Sequence, residues 1–285
     1  MSKIALFGLS QGIAVLNCLI GIVLQVINTN YNTNVPIFLQ LVFYSLQLCF
    51  LVYGPSRQKT STRQMWLVLL FGVFDVSANF CINFAYNYTN VISVILLTSL
   101  ATPFSMIFSY FILGSRFTVV KILLIFTSIA FAFAYSLLDS QQGESRVWGN
   151  VLATLGSLGY GINTTLNEYL LKSGLSVWQI LPRIAIVGIT ATIIGCLSLE
   201  TTKIKNLGHV FWLVLLFAVL LTSFYLLQMY SIKKTSAVFV NASVLTTNFY
   251  TFLFGIIFLQ GDFQFVQLFP ALFLVVTVFV FEIAE

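Results

Sequence analysis

Ten apolar runs follow one another along this 285-residue chain, separated by short polar connections. They lie at about residues 5–27, 36–54, 66–86, 91–113, 118–138, 149–171, 178–198, 210–229, 236–258 and 265–283. An α-helix of about 20 apolar residues crosses the hydrocarbon core of a bilayer. The sequence therefore predicts an all-α membrane protein with ten transmembrane helices.

The composition agrees with a chain that lies almost wholly in lipid. Charged residues make up 7% and apolar residues 59% of the sequence, whereas about 25% of the residues of a soluble domain are charged. So few charges cannot solvate a globular surface, and the spans leave no room for a separate soluble domain. The basic residues do not cluster with aromatic ones as in a nucleic-acid interface, so we expect no nucleic-acid partner.

The four cysteines give no sign of redox or metal chemistry. Cys18, Cys49, Cys81 and Cys196 all fall inside apolar runs, and their spacing matches no metal-ligand pattern. We expect them to be small buried hydrophobic side chains. No Gly-rich phosphate loop or metal-ligand cluster is present either. The sequence predicts neither a metal nor a cofactor.

Lysine and arginine are distributed unequally between the two sides of the predicted membrane. One side collects Lys3, Arg57, Lys59, Arg63, Arg116, Lys121, Lys172, Arg183, Lys233 and Lys234, and the other has Arg146, Lys203 and Lys205. Basic residues in short loops favour the cytosolic side. We therefore predict that both termini are cytosolic, in a multi-pass protein of the plasma membrane or an endomembrane.

The chain resembles itself at an offset of 146 residues. The segment Trp66-Leu67-Val68-Leu69-Leu70-Phe71 recurs as Trp212-Leu213-Val214-Leu215-Leu216-Phe217. The offset divides one membrane domain into two five-helix repeats, 1–147 and 148–285. An odd number of crossings inverts the second repeat relative to the first, an arrangement that many secondary transporters use for alternating access.

A polar stripe on the third predicted span marks a candidate site. Asp75 lies near the midplane, and Asn79, Asn83 and Tyr86 follow on the same helical face. An ionisable side chain at this depth is costly and commonly functional. Two interpretations stay open: a hydrogen-bonded clamp between helices, or a site for substrate or a proton.

Other spans contribute further polar residues that should face the interior of the bundle. The remaining substrate-binding candidates are Gln11, Tyr160, Asn163, Asn241, Ser243 and Asn248. Some of them could serve as interhelical bridges. Glu168 lies near a cytosolic end, where we expect it to pair at the rim with Arg183 or with Lys172.

Two local features shape individual spans. Pro103 should interrupt the span at 91–113 and act as a kink that lines the cavity. Gly8-Leu9-Ser10-Gln11-Gly12 matches the pattern of a serine nucleophile elbow, but that motif requires a strand before the serine. We interpret Gly8 and Gly12 as a face for close helix packing.

Several segments together resemble solute carrier family 35, subfamily F, of the drug/metabolite transporter superfamily. They include Asp75-Val76-Ser77-Ala78-Asn79, Ala85-Tyr86-Asn87-Tyr88-Thr89, Thr102-Pro103 and Lys234-Thr235-Ser236-Ala237. The resemblance covers nearly the whole chain. It implies a ten-helix carrier with two inverted halves, cytosolic termini and a central cavity. It also implies that relatives carry further acids where this chain has Ser77, Asn167 and Asn248.

The distribution of charge favours one class of substrate. A nucleotide sugar would require deep Lys or Arg residues for its phosphates, but Lys121 and Arg183 lie about one turn from a cytosolic end and the deepest charge is Asp75. We therefore expect a secondary transporter for a small neutral or cationic aromatic metabolite that resembles a nucleobase, nucleoside or vitamin. Asp75 would be the counter-charge or proton carrier, and Tyr86 and Tyr160 the stacking surfaces.

Two alternative functions stay open for this sequence. A nucleotide-sugar transporter is the main alternative, and a non-transporting membrane receptor or scaffold is a further one. An enzyme is not expected, since acid–base catalysis needs paired titratable groups and Asp75 alone lies deep in the bundle. The expected partners are the lipid bilayer and a small-molecule substrate, with or without a coupling proton.

Overall fold

The computed structural model describes residues 3–29, 31, 35–52, 60–89, 91–123, 125–127, 130, 144–201 and 207–258. Its helices in chain order are α1 (Lys3–Thr29), α2 (Pro36–Leu48), α3 (Thr62–Ala85), α4 (Val91–Thr98), α5 (Ala101–Leu113), α6 (Glu144–Lys172), α7 (Val177–Gly195), α8 (Phe211–Lys234), α9 (Ala237–Val244) and α10 (Thr247–Phe258). A 3₁₀ turn, Cys49–Val52, extends α2, and a π-helical turn, Cys196–Glu200, extends α7. The described part of the chain contains helices and no strand.

In the part of the chain that the structure describes, five helical segments are long and apolar enough to cross a bilayer, as expected of a multi-pass membrane protein. They are Phe7–Asn28, Thr62–Ala85, Ser93–Leu113, Val177–Glu200 and Phe211–Lys234. The shorter apolar helix Pro36–Leu51 accompanies them. The predicted span at 265–283 lies outside the described residues, as does much of the one at 118–138.

Helix α6 is the most polar of the long helices and lies in the interior. It begins at Glu144, before the predicted start at 149, and ends at Lys172. It packs against α3, α4, α5, α8 and α9. These neighbours cover several of its polar side chains, including Asn163, Asn167 and Glu168, which are therefore buried in the protein instead of facing hydrocarbon.

The predicted span at 91–113 is interrupted, as expected, but before its proline. The chain turns at Ser99 and Leu100, between α4 and α5, and Pro103 lies in the first turn of α5. Proline has no N–H to give to the carbonyl four residues earlier, which here belongs to Ser99. That carbonyl instead accepts from the Thr102 N–H at 3.1 Å. Pro103 thus favours a break one turn upstream of itself.

The predicted span at 236–258 is also two helices, which corrects the expectation of a continuous one. The chain turns at Leu245 and Thr246, between α9 and α10. Neither proline nor glycine is present there. Instead, side chains satisfy the freed carbonyls: the Thr246 hydroxyl donates to Ser243 O at 2.8 Å, and Asn248 Nδ2 donates to Leu245 O at 2.9 Å.

The two broken spans and the helix packing follow the 146-residue offset. Helices α4 and α9 have eight residues each, and α9 and α10 begin 146 residues after α4 and α5. Helix α1 packs on α8, α9 and α10, and α6 packs on α3, α4 and α5. The contact of α2 with α8 corresponds in the same way to the contact of α7 with α3, and α2 and α7 contact each other. Exchanging the first five helices with the second five therefore preserves these contacts.

Buried carboxylates hold the starts of two short helices. Glu200, 2% exposed, accepts from the backbone N–H groups of Ile37 at 3.0 Å and Phe38 at 2.8 Å in the first turn of α2. Glu168 accepts from the Ala237 N–H at 2.6 Å at the start of α9. These N–H groups have no partner within their own helix, and the helix dipole favours a negative charge there.

Two expectations about small residues are corrected. A Cβ on Gly8 would meet no described atom within 4 Å, and one on Gly12 would make an ordinary 3.5 Å contact with Leu227. The tight glycine contacts lie on α6 and α7 instead, for example at Gly161 against Phe104. Cys49 is exposed in the turn after α2 and Cys81 is half-buried, whereas Cys18 and Cys196 are buried as expected.

Candidate functional site

The carboxylate of Asp75 is the centre of the candidate site. It is 1% exposed, near the middle of α3. Oδ1 accepts from the Tyr225 hydroxyl at 2.6 Å and from Asn163 Nδ2 at 3.2 Å. Oδ2 accepts from the Tyr44 hydroxyl at 2.8 Å and from Asn79 Nδ2 at 3.3 Å. Four neutral donors from α2, α3, α6 and α8 thus fill the acceptor positions of one carboxylate.

Asn79 connects this carboxylate to the rest of the polar cluster. Its Nδ2 also lies 3.3 Å from the Tyr44 hydroxyl and 3.1 Å from the Tyr225 hydroxyl. Its Oδ1 accepts from the Tyr160 hydroxyl at 2.8 Å. Asn79 therefore has partners for both of its polar atoms, and it fixes the positions of three tyrosines around Asp75.

The pattern of α3 explains why these side chains point inward. Asp75, Asn79 and Asn83 recur every four residues, so they share one face of the helix. All three are buried, whereas Val73 and Ser77 on another face are exposed. The interior face is therefore the polar one, as expected for a membrane helix whose outer face meets lipid.

A cavity surrounds the cluster and contains most of the predicted site residues. Its lining draws on α1, α2, α3, α4, α5, α6, α8 and α9. The predicted residues that line it are Asp75, Asn79, Asn83, Tyr86, Tyr160, Asn163 and Asn241. Asp75 is the one charged residue in the lining, as far as the structure describes it.

The structure places three predicted residues outside this lining. Gln11 Oε1 accepts from the Tyr250 hydroxyl at 3.0 Å. The Ser243 hydroxyl donates to Phe239 O within α9 at 2.9 Å. Asn248 Nδ2 bridges to the Ser99 hydroxyl at 2.9 Å, so it joins the breaks of the two interrupted spans. All three are hydrogen-bonded within the protein, which is the structural role that polar residues often have in membrane helices.

Of the two predicted partners of Glu168, the structure shows Lys172 and not Arg183. The Glu168 carboxylate pairs with Lys172, one turn along α6, and not with Arg183. Nη1 of Arg183 is buried and has no hydrogen-bond partner in the part of the chain described. The second oxygen of Glu168 is already held by the start of α9, so this acid serves helix packing.

Tyr44 and Tyr225, which make the shortest contacts to Asp75, were not predicted. Both lie in strongly apolar runs, where a tyrosine resembles another core aromatic residue. A signal for Tyr225 did exist: it lies 146 residues after Asn79, with which it is in contact. Equivalent positions of two related halves meet where they lie close to the axis that relates them.

The ring of Tyr44 is held in place by a glycine on α7. A Cβ added to Gly188 would lie 2.4 Å from Cγ of Tyr44, which no real contact allows. Gly188→Ala should therefore displace the ring and lengthen the hydrogen bond to Asp75. Overpacking of this kind costs about 1–3 kcal/mol. Thermal unfolding of the purified variant should show the loss, with Gly8→Ala as a neutral control, and equal stability of the two variants would contradict the packing argument.

Comparisons with known proteins identify the family. A family model described as solute carrier family 35 (SLC35F) matches residues 2–283. The chain belongs to solute carrier family 35. It is 28% identical over 275 residues to solute carrier family 35 member F2 of Mus musculus, covering 90% of this chain and 72% of that protein. A member F2 of Xenopus tropicalis is also 28% identical, over 281 residues, covering 90% and 70%.

Two more comparisons extend this result. The thiamine-repressible mitochondrial transport protein THI74 of Saccharomyces cerevisiae is 32% identical over 168 residues, which cover 53% of this chain and 45% of that protein. A solved structure titled "Crystal structure of protein" matches with a TM-score of 0.66 at 12% identity, covering 97% of this chain and 96% of the other. The fold is thus shared with a solved protein. Membership of family 35 makes this chain a solute transporter of a membrane, with a small molecule as substrate.

Proposed function

We propose that this family 35 member is a secondary carrier that moves a small neutral or cationic aromatic metabolite by alternating access. The observation that carries the proposal is the buried Asp75 carboxylate, bound by four neutral donors in a cavity between helices of both halves. No basic side chain is among the described residues that line this cavity. A cation or a proton would compensate the charge, whereas a phosphate group would be repelled.

The packing supports two inverted five-helix halves, with 1–147 as the first and 148–285 as the second. The paired breaks at Ser99–Leu100 and Leu245–Thr246 lie 146 residues apart, and the helix contacts exchange between the halves. Interrupted helices at a repeat interface form the substrate sites of many carriers. Rocking of one half against the other would expose the Asp75 cavity to each side of the membrane in turn.

A counter-flow experiment distinguishes transport from binding alone. Proteoliposomes preloaded with unlabelled substrate should accumulate the labelled form transiently, because a carrier exchanges substrate through one alternating site. A receptor or scaffold would bind the label without accumulation, and an enzyme would release altered products. A nucleotide sugar that supports counter-flow better than aromatic metabolites would contradict the proposed substrate class.

The aromatic side chains that line the cavity give a second prediction. Tyr86 and Tyr160 both line it, and stacking on an aromatic ring strengthens the binding of flat or cationic ligands. Replacing both by leucine should weaken substrate binding by about 1–3 kcal/mol. Binding by the purified double variant should fall much more than its abundance in the membrane, and equal losses of the two would leave stacking unsupported.

A further inference from the structure

Gln40 carries a buried amide for which the described residues provide no hydrogen-bond partner. It lies on α2, is 1% exposed and lines the cavity around Asp75. Neither Oε1 nor Nε2 has a hydrogen-bond partner in the structure that the described residues form. A buried polar atom without a partner destabilises a protein, so unsatisfied groups of this kind commonly mark a functional site.

Two more buried acceptors belong to residues of α6 that line the same cavity. Oδ1 of Asn163 and Oδ1 of Asn167 have no hydrogen-bond partner among the residues described, and both residues line the cavity. The orientation of Asn163 is set by Asp75, because the carboxylate can only accept and so requires the amide nitrogen. The amide oxygen must then point away from Asp75. Asp75 thereby fixes which end of the Asn163 amide is left without a partner in the described structure.

The other polar groups of the cluster are already occupied. Both oxygens of Asp75 accept two hydrogen bonds each, and Asn79 has partners for both polar atoms. Asn241 Nδ2 donates to the Thr164 hydroxyl at 2.7 Å. Among the described residues that line the cavity, the buried polar atoms left without a partner are the amide of Gln40 and the two oxygens on α6.

We propose that Gln40 is the specificity-determining residue of the carrier and binds a planar ligand edge with an N–H donor beside an acceptor. The Gln40 amide presents the complementary acceptor and donor side by side. Asn163 and Asn167 accept from further N–H groups of the same ligand, and Asp75 acts as a positioning residue through Asn163. The inference rests on the proposed function and narrows its substrate class to ring compounds that carry an amino or amide group.

Gln47 provides a matched control on the same helix. It is 0% exposed, and both of its polar side-chain atoms also lack a partner in the described structure. Unlike Gln40, it does not line the cavity. Gln40→Leu and Gln47→Leu therefore both remove a buried amide from α2, and they differ in whether the residue lines the cavity.

The experiment measures ligand-induced thermal stabilisation of the purified full-length protein. The probes are two pairs that differ in the amino group: 9-methyladenine with 9-methylpurine, and nicotinamide with 3-acetylpyridine. In the wild type, the amino-bearing member of each pair should bind about tenfold more tightly or better. Gln40→Leu should abolish this preference, whereas Gln47→Leu should retain it. Without ligand, the Tm of both variants should equal or exceed that of the wild type.

The possible outcomes distinguish a failure of the role given to Gln40 from a failure of the proposed function. A preference retained in Gln40→Leu, or lost equally in Gln47→Leu, would overturn the role of Gln40 and leave the proposed carrier intact. Equal binding within each pair by the wild type would overturn it as well. Failure of the wild type to bind any of the four probes would overturn both the inference and the proposed aromatic substrate. Gln40→Met, which also lacks the amide, gives the same test if the leucine variant does not fold.

Discussion

Asp75→Asn should lower the initial rate of substrate uptake by roughly 100-fold, while the protein still reaches the membrane. The asparagine keeps the shape of the side chain but removes its charge and one pair of acceptors. Only two of the four donors then face a carbonyl oxygen, and the other two, among them Asn163 Nδ2 or Asn79 Nδ2, face the new NH₂ group. Each hydrogen bond to a charged group is worth about 1.5–3 kcal/mol, so losing the charge perturbs the whole cluster.

The measurement is uptake into proteoliposomes at several pH values, with equal amounts of reconstituted protein. If Asp75 carries a proton, the pH dependence of the wild type should disappear in the variant, since asparagine does not titrate. Ser77→Ala is the matched control, because Ser77 lies on the exposed face of α3 and its hydroxyl bonds to Val73 O of the same helix. An unchanged rate with unchanged pH dependence would reduce Asp75 to a structural residue.

Tyr44→Phe and Tyr225→Phe combined should cause the largest loss of stability. Each hydroxyl makes a short hydrogen bond to a different oxygen of the buried Asp75 carboxylate. Removing one hydroxyl takes a hydrogen bond away from the buried charge, which lowers the free energy of unfolding by about 1.5–3 kcal/mol. Additive effects would cost the double variant roughly 3–6 kcal/mol. We expect a departure from that sum, because both hydroxyls act on one carboxylate.

Chemical unfolding of the single and double variants in detergent provides the test. The same two substitutions in an Asp75→Asn background serve as the control, because the charge that the hydroxyls stabilise is then absent. In that background the two substitutions should lower the free energy of unfolding by less than half as much as they do in the wild type. An equal cost in both backgrounds would show that the hydroxyls act through a partner other than Asp75, for example Asn79 Nδ2, which lies 3.3 Å from the Tyr44 hydroxyl and 3.1 Å from the Tyr225 hydroxyl.

The helical architecture follows largely from the sequence, because hydrocarbon leaves the backbone few alternatives. The apolar runs gave the positions of the described helices to within a few residues. The break inside 91–113 was foreseen from Pro103, which cannot donate a backbone hydrogen bond. The break inside 236–258 was missed because Thr246 and Asn248 stabilise it through side-chain hydrogen bonds, and no local rule requires them to do so.

The site could be predicted only in part. The spacing of Asp75, Asn79 and Asn83 fixed one polar face, and the structure placed that face toward the cavity. Gln11, Ser243 and Asn248 are equally polar, but the rotation of their helices sets them against protein partners. Tyr44 and Gln40 lie on α2, whose sequence is mostly apolar or aromatic. Which face of such a helix meets the cavity depends on packing by other helices, and a single sequence does not specify it.

The most direct test of the account is the orientation of two equivalent helices. Thr62 begins α3, Gly208 lies 146 residues later just before α8, and both are exposed. Single cysteines at these positions, in a background with the four native cysteines replaced, can be labelled with a membrane-impermeant thiol reagent. Inverted halves predict that Thr62→Cys is labelled from the cytosolic side alone and Gly208→Cys from the opposite side alone. Labelling of both from the same side would contradict transport by two inverted halves around Asp75.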